Sequence, residues 1–361
     1  MNLDPLYQRL KSWLLTHFLI LCLVGFAIRF LFIIYYYFEG FGLVEGFYYG
    51  DVEYNWEDVE DLTSGQYQSY PPLALLLLIV FKFLSFGNLK IFMIWAGLLE
   101  IGLVLAVWAG MKDLLITKND PSTYEPVRWA LLLLLFNPFW FLHNIFSVSN
   151  CGYHYTDYFF LYAFLGAIIF YQQKKENLAF ICLGLSAAIK WFTLPAIGFY
   201  PLLLLLNKDY RRFWRFIVIE GFILLAFLVL PLFIIPNYLE LYLFYLQGGG
   251  NPIFEWVPFY IKLIPILCLS IYFLAFRLKK SDFLAISAWA MLIMFSFMLF
   301  ARFYLRYLLG WILLGHLMVA AKDWAFEIKL LGVKLNQHEF TFLLSVIGTL
   351  LTILLLFFQL V

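Results

Sequence analysis

The residues with chemistry to offer stand in one acidic stretch and at a few isolated cations. Between Glu39 and Tyr70 the chain carries eight carboxylates, Glu39, Glu45, Asp51, Glu53, Glu57, Asp58, Glu60 and Asp61, and no Lys or Arg before Lys82. A carboxylate held in water is a base toward a hydroxyl, and a spaced pair such as Asp51 and Glu53 could also contact a substrate or a divalent metal, the metal being the less favoured use. Lys190 stands alone in the apolar run Gly184 to Pro195. A charge at that depth costs roughly 2.5 to 3.5 kcal/mol on insertion scales, so it calls for a partner, and a phosphate would supply one. Arg302 and Arg306, four residues apart, share a helical face and could fork a phosphate. His154 and Asp157 close a polar stretch beginning at Ser147, and Tyr67 and Tyr70 could stack on a ligand. Each has a plainer use: carboxylates keep loops soluble, Lys and Arg snorkel, and Tyr gathers at membrane interfaces.

The elements that position these residues are set by composition. Of 361 residues, 64% are hydrophobic and only 13% are charged. Runs such as Leu73 to Phe81, Leu131 to Phe136 and Thr349 to Phe358 exceed what one soluble core of this size could bury, so lipid must be the main solvent. The balance of 24 Lys plus Arg against 23 Asp plus Glu gives no reason for a nucleic-acid partner. Cys22, Cys151, Cys182 and Cys268 lie far apart, with no disulfide framework or zinc spacing. Hydropathy and charge breaks predict spans at 13–38, 89–111, 127–147, 155–171, 213–235, 256–276, 283–300, 303–321 and 340–360, with half-length pieces at 178–190 and 192–206. The expected fold is an all-α polytopic bundle of about eleven spans including the two short ones.

If each short piece is a partial crossing, the basic segments all fall on one side, which positive-inside bias makes cytoplasmic. They are Arg9 and Lys11; Lys112 to Arg128; Lys174 and Lys175; Lys208 to Arg215; Arg277 to Lys280; and Lys322 to Lys334. This requires Pro71 to Phe86 to lie as an interfacial helix on the opposite face rather than to cross. Thirteen helical residues rise about 20 Å against a hydrocarbon core of about 30 Å, so the junction at Lys190 should lie in the outer leaflet. Arg29, His143 and His316 are expected as hydrogen-bonding groups within the bundle.

The order of several blocks resembles one family. Asp51-Val52-Glu53 after the first span, the run Tyr67-Gln68-Ser69-Tyr70-Pro71-Pro72-Leu73, and Asn137-Pro138 come first. Ser149 to Asp157 and Gly184 to Pro195 follow, and together the blocks look like those of the GT-C superfamily of membrane glycosyltransferases, most closely the glycosylphosphatidylinositol mannosyltransferase I branch and its prokaryotic relatives. The likeness covers roughly residues 13–206, and Arg302 to Tyr307 is similar to a late Arg and Tyr cluster of several branches. The usual Asp-x-Asp is Asp51-Val52-Glu53 here, Thr156-Asp157 replaces Asn-x-Asp, and no Trp-Trp-Asp-Tyr-Gly sequence occurs.

The resemblance implies an inverting hexosyltransferase of GT-C type. Its catalytic transmembrane module would be 1–206, with external loop 39–88, and 207–361 would complete the lipid-donor groove. The donor would be a polyprenyl- or dolichyl-phosphate-linked sugar, mannose first. The acceptor would be a lipid, a lipid-linked glycan or a protein. Asp51 would be the catalytic base, and Glu53, Tyr67, Tyr70, His154, Asp157, Lys190, Arg302 and Arg306 would bind substrate, with no resident cofactor or metal. Because a polyprenyl phosphate leaves as a stable anion, one base and phosphate-holding cations suffice. The site would face the non-cytoplasmic side of a prokaryotic cell membrane, or of the endoplasmic reticulum. A multi-span transporter or lipid flippase is the alternative, since broken helices also build transport sites. Missing internal repeats count against it.

Overall fold

The computed structural model describes residues 4–39, 56–57, 59–60, 71–115, 128, 131–132, 135, 155–234, 258–302, 327–330, 332–336, 339 and 343. Those residues are mostly helical. Helix α1 (Asp4–Thr16) and α2 (Phe18–Glu39) are followed by α3 (Pro72–Leu84), α4 (Leu89–Leu115), α5 (Tyr155–Gln172), α6 (Glu176–Ile189) and α7 (Leu194–Leu206). Then come α8 (Tyr210–Leu224), continued through a π turn to Ile234, and α9 (Ile264–Tyr272) and α10 (Phe283–Arg302). Helices α4, α5, the extended α8 and α10 occupy the segments predicted as spans at 89–111, 155–171, 213–235 and 283–300. Spans 127–147, 303–321 and 340–360 lie almost wholly outside the described residues.

By length and composition, one described helix, Tyr210–Ile234, can cross a membrane, or up to three if the two bent pairs are each one span. The first bent pair alters the expected span 13–38: the helix starts at Asp4 and turns by 69° between Thr16 and Phe18. In the second, Pro72–Leu84 and Leu89–Leu103 meet at 119°, so the segment expected as an interfacial helix is a separate helix that leaves the α4 direction. Pro72 at its first position starts α3 without losing a needed N–H. The all-α expectation also needs one correction. Glu327–Leu330 (β1) and Val333–Asn336 (β2) form an antiparallel hairpin that pairs Lys329 with Lys334 and turns at Gly332, whose φ of +87° favours glycine. Four-residue strands carry too little periodic pattern to be read from sequence.

The core is built around α5 and α6, which pack along their length and receive α3, α4, α7, α8 and α10. Helices α6 and α7 fold back on each other as a hairpin. Phe180, ten residues before Lys190, meets Tyr200, ten residues after it, at 5.8 Å between ring centroids. Phe216 of α8 lies edge-on to both, at 4.9 and 5.1 Å. With 14 and 13 residues the arms rise about 21 and about 20 Å, half-length elements as expected. Pro195 falls in the first turn of α7, where its missing N–H has no helical partner to lose.

Helices α5 and α7 end alike. Lys175 N–H donates to Phe170 and Lys174 N–H to Tyr171, and Asp209 and Lys208 repeat the pattern on Leu204 and Leu205. This six-to-one and five-to-two closure puts Lys174 and Lys208 at φ of 59° and 58°, where glycine is usual and a lysine costs roughly 1 kcal/mol. The two turns are drawn together by Glu176, which pairs with both Arg212 and Arg215. At the same end Tyr171 stacks on Phe283 at 4.4 Å, close in sequence to Lys279 and Lys280. Lys11 pairs with buried Glu339 at 2.6 Å, joining the amino-terminal basic segment to the β hairpin. Arg29, buried as expected, donates to the Leu135 carbonyl. Away from the core, α2 and α8 expose stripes of Leu, Val and Phe, with Phe222 at 73% exposure. Stripes of that kind suit lipid rather than water.

Gly184 sets the closeness of α6 to α8. A Cβ there would collide with the Glu220 carboxylate and stand 3.0 Å from Ile223 Cδ1. Gly184→Ala is expected to cost about 2 kcal/mol by overpacking, read as a drop of about 3 °C in the thermal midpoint of the detergent-solubilised protein. An unchanged midpoint would show that the interface yields freely.

Candidate functional site

The end of the bundle opposite the paired Arg212 and Arg215 gathers the polar residues left over from packing. Lys190 terminates α6 in an extended conformation, φ −146° and ψ 135°, while its N–H still bonds Ser186 O at 2.9 Å. The extended backbone turns its side chain off the helix and across to α5, where its ammonium pairs with the carboxylate of Asp157. Asp157 sits in the first turn of α5, where the helix dipole favours a negative charge. Burial is uneven, with the Lys190 side chain 9% exposed and that of Asp157 19%. The pair is therefore held at the mouth of the bundle rather than sealed inside it.

A second polar pair fixes the bend beneath. Ser186 Oγ and Thr193 Oγ1, both fully buried, lie 2.7 Å apart. Since Ser186 donates its only hydroxyl proton to Leu183 O at 2.7 Å, Thr193 must be the donor between the two. The bond ties α6 to the turn that follows Lys190 and so sets the direction of that side chain. Phe192 completes the tip, with Lys190 Nζ 5.8 Å from its ring and Phe160 edge-on at 5.3 Å.

Aromatic side chains form the surroundings. Tyr155, fully buried two residues before Asp157, donates its hydroxyl to Phe92 O and packs on Phe92 at 4.4 Å and Phe81 at 5.5 Å. Trp56 meets Phe92 edge-on at 5.4 Å, and Val59 is buried beside it in the core. Lys82 of α3 holds this short piece down from three directions. Its ammonium lies 4.1 Å from the Trp56 ring centroid, donates to Trp56 O at 3.4 Å, and stands 3.0 Å from the Glu60 carboxylate. The far part of the acidic stretch is thereby strapped to the helix that shares the Tyr155 cluster. Lys82→Met is expected to raise amide exchange at residues 56–60 about tenfold, because a cation on an indole face and an exposed ion pair together contribute about 1 to 2 kcal/mol. Exchange equal to wild type would dismiss the strap.

Of the residues singled out in the sequence, the fold brings together Asp157 and Lys190, thirty-three positions apart. Asp157 gives Lys190 a partner of opposite charge within the chain. Asp51, Glu53, Tyr67, Tyr70, His154 and Arg306 lie outside the described residues, and Arg302 is described only as the last backbone position of α10. Sequence reasoning missed Ser186, Thr193, Trp56 and the role of Lys82. The one available signal was that Lys82 is the first cation after eight carboxylates.

A family model described as glycosyltransferase family 87 matches residues 67–255. No curated protein and no solved structure matches the chain. The matched stretch takes in Tyr67, Tyr70, His154, Asp157 and Lys190, and leaves Asp51, Glu53, Arg302 and Arg306 outside it.

Proposed function

The chain belongs to glycosyltransferase family 87, and on that premise we propose that it transfers a hexose, mannose first, from a polyprenyl-phosphate-linked donor. The acceptor is a lipid, a lipid-linked glycan or a protein. The reaction takes place on the non-cytoplasmic face of a prokaryotic cell membrane, in a multi-span bundle of GT-C type. The observation that carries the reading is the Asp157–Lys190 pair at the tip of a half-length helical hairpin, inside the family-matched stretch. A cation at the mouth of an apolar bundle is where an isoprenoid phosphate would bring its headgroup. An ammonium has three N–H donors, so Lys190 can exchange Asp157 for a phosphate oxygen or hold both.

Asp51 is the base in this reading. It stands five positions before Trp56, the residue that Lys82 holds against α3, a reach of no more than about 17 Å at full extension. The acceptor hydroxyl gives its proton to Asp51 and attacks the anomeric carbon, the bond to the phosphate oxygen breaks, and the electron pair leaves on the polyprenyl phosphate. One displacement inverts the anomeric centre. Glu53, Tyr67, Tyr70 and His154 would line the sugar, and Arg302 with Arg306 would grip the phosphate from the module 207–361.

Purified protein in detergent, given polyprenyl-phosphate mannose with labelled sugar, tests this against a nucleotide-linked mannose. Covalent transfer from the lipid-linked donor is expected. Transfer from the nucleotide sugar alone would overturn the donor assignment. Accumulation of the donor in sealed vesicles without covalent change would favour transport.

A further inference from the structure

Helix α8 and the two lysine turns beside it sort their cations into two classes. Arg212 and Arg215 are partly exposed and paired, both with Glu176, and Arg212 also with Asp209 at 3.6 Å. Lys174, Lys175, Lys208 and Arg211 point outward, and none makes an ion pair with a described residue. Two of them occupy left-handed backbone positions that glycine would fill more easily, so local folding does not account for the choice of lysine there.

The outward face of α8 then changes character in order along its length. Arg211 is followed at the next turn by Trp214, 62% exposed, and beyond it by Val218 and Phe222. Tyr210 flanks Arg211 and is exposed as well. Spacings of three and four keep these side chains on one face. Cation, then indole, then aliphatic and phenyl groups is the order met on descending from a lipid phosphate through the glycerol region into the acyl chains. The inner face, Phe216, Glu220 and Ile223, is buried against α6 and supplies no part of this sequence.

We propose that the two lysine turns and the outer face of α8 form a seat for an anionic phospholipid of the surrounding bilayer. Lys208 and Arg211, with Lys174 and Lys175 beside them, take the phosphate and headgroup. Trp214 covers the glycerol region, and Val218 and Phe222 lie along an acyl chain. The seat is at the far end of the α6–α7 hairpin from Lys190, about 20 Å away along α7, so it is separate from the proposed donor site. It depends on α8 crossing a membrane and on nothing else in the glycosyltransfer reading.

The test is native mass spectrometry of the detergent-solubilised full chain titrated with dioleoyl phosphatidylglycerol and, in parallel, with dioleoyl phosphatidylcholine. Retention of phosphatidylglycerol over phosphatidylcholine is expected, with no displacement by millimolar inorganic phosphate. Lys208→Gln with Arg211→Gln should weaken phosphatidylglycerol binding about 25-fold, since each basic side chain near an anionic surface contributes about fivefold. Lys329→Gln with Lys334→Gln removes two exposed charges from the β hairpin, which has no apolar helix face, and should leave binding unchanged. Trp214→Ala, at constant charge, should weaken binding about threefold while keeping its salt dependence. Equal loss in the two double variants, equal retention of phosphatidylcholine, or displacement by phosphate alone would overturn the seat. Sugar transfer is not part of the readout, so failure of this proposal and failure of the enzymatic one are told apart.

Discussion

Asp51→Asn is expected to lower sugar transfer about a thousandfold while leaving donor affinity within a factor of two. The substitution keeps size and hydrogen-bonding capacity and removes only the basicity, and a positioned general base contributes 10²- to 10⁴-fold. A thousandfold corresponds to about 4 kcal/mol of barrier, too much for a carboxylate that merely solubilises a loop. Glu53→Gln, which removes a neighbouring charge rather than the base, should cost no more than about tenfold. The measurement is single-turnover transfer with labelled donor, alongside donor retention on a filter. Wild-type turnover in Asp51→Asn would reject Asp51 as base, and an equal loss in Glu53→Gln would shift the role to the pair. Because the family match begins at residue 67, this experiment also decides whether the reaction centre extends upstream of the matched stretch.

The second large effect concerns the pair at the hairpin tip. Lys190→Met removes the ammonium that pairs with Asp157, and Asp157→Asn removes the carboxylate charge that pairs with Lys190. Breaking a buried pair from one side costs about 3 to 5 kcal/mol. With side chains 9% and 19% exposed, the lower end of that range applies, and Asp157→Asn, which takes the carboxylate from the more deeply buried charge, should be the worse of the two. The double variant Lys190→Met, Asp157→Asn removes both charges and should recover most of the lost thermal stability, since neutral groups of similar volume replace a desolvated pair without penalty. Transfer should not return with it, because the cation for the donor phosphate is gone. Stability recovered together with wild-type transfer would make the pair a purely structural tie. Singles as stable as wild type would mean that water screens it fully.

The strap and the bend explain why these two effects belong together. Lys82 holds Trp56 and Glu60 against α3, and Trp56 touches Phe92, which accepts the Tyr155 hydroxyl two residues from Asp157. The chain of contacts runs from the acidic stretch to the cation at the hairpin tip without leaving the aromatic cluster. In the proposed reaction a base and a phosphate-holding cation act on one bond and need such a connection, since a displacement of about 1 Å can cost a hundredfold in rate.

Composition alone pointed to a membrane protein, because hydrophobic excess sums over the chain and does not depend on which residues meet. Local pattern located α4, α5, α8 and α10 to within a few residues, and it placed the break at Lys190, because proline and a lone charge interrupt a helix wherever the rest of the chain lies. The short β hairpin and the turn at His17 escaped it, since neither carries enough periodicity to outweigh its neighbours. What tertiary structure decided was partnership. Nothing within thirty-three residues of sequence links Asp157 to Lys190; they meet because α5 and α6 pack along their length and the extended residue at 190 swings its side chain across. The same holds for Ser186 with Thr193 and for Lys82 with Trp56, where each group found the nearest acceptor, donor or ring that packing left over. Hydrophobic periodicity specifies which face of a helix is buried, but ion pairs and hydrogen bonds are specified by distances of about 3 Å that exist only once the helices have been placed.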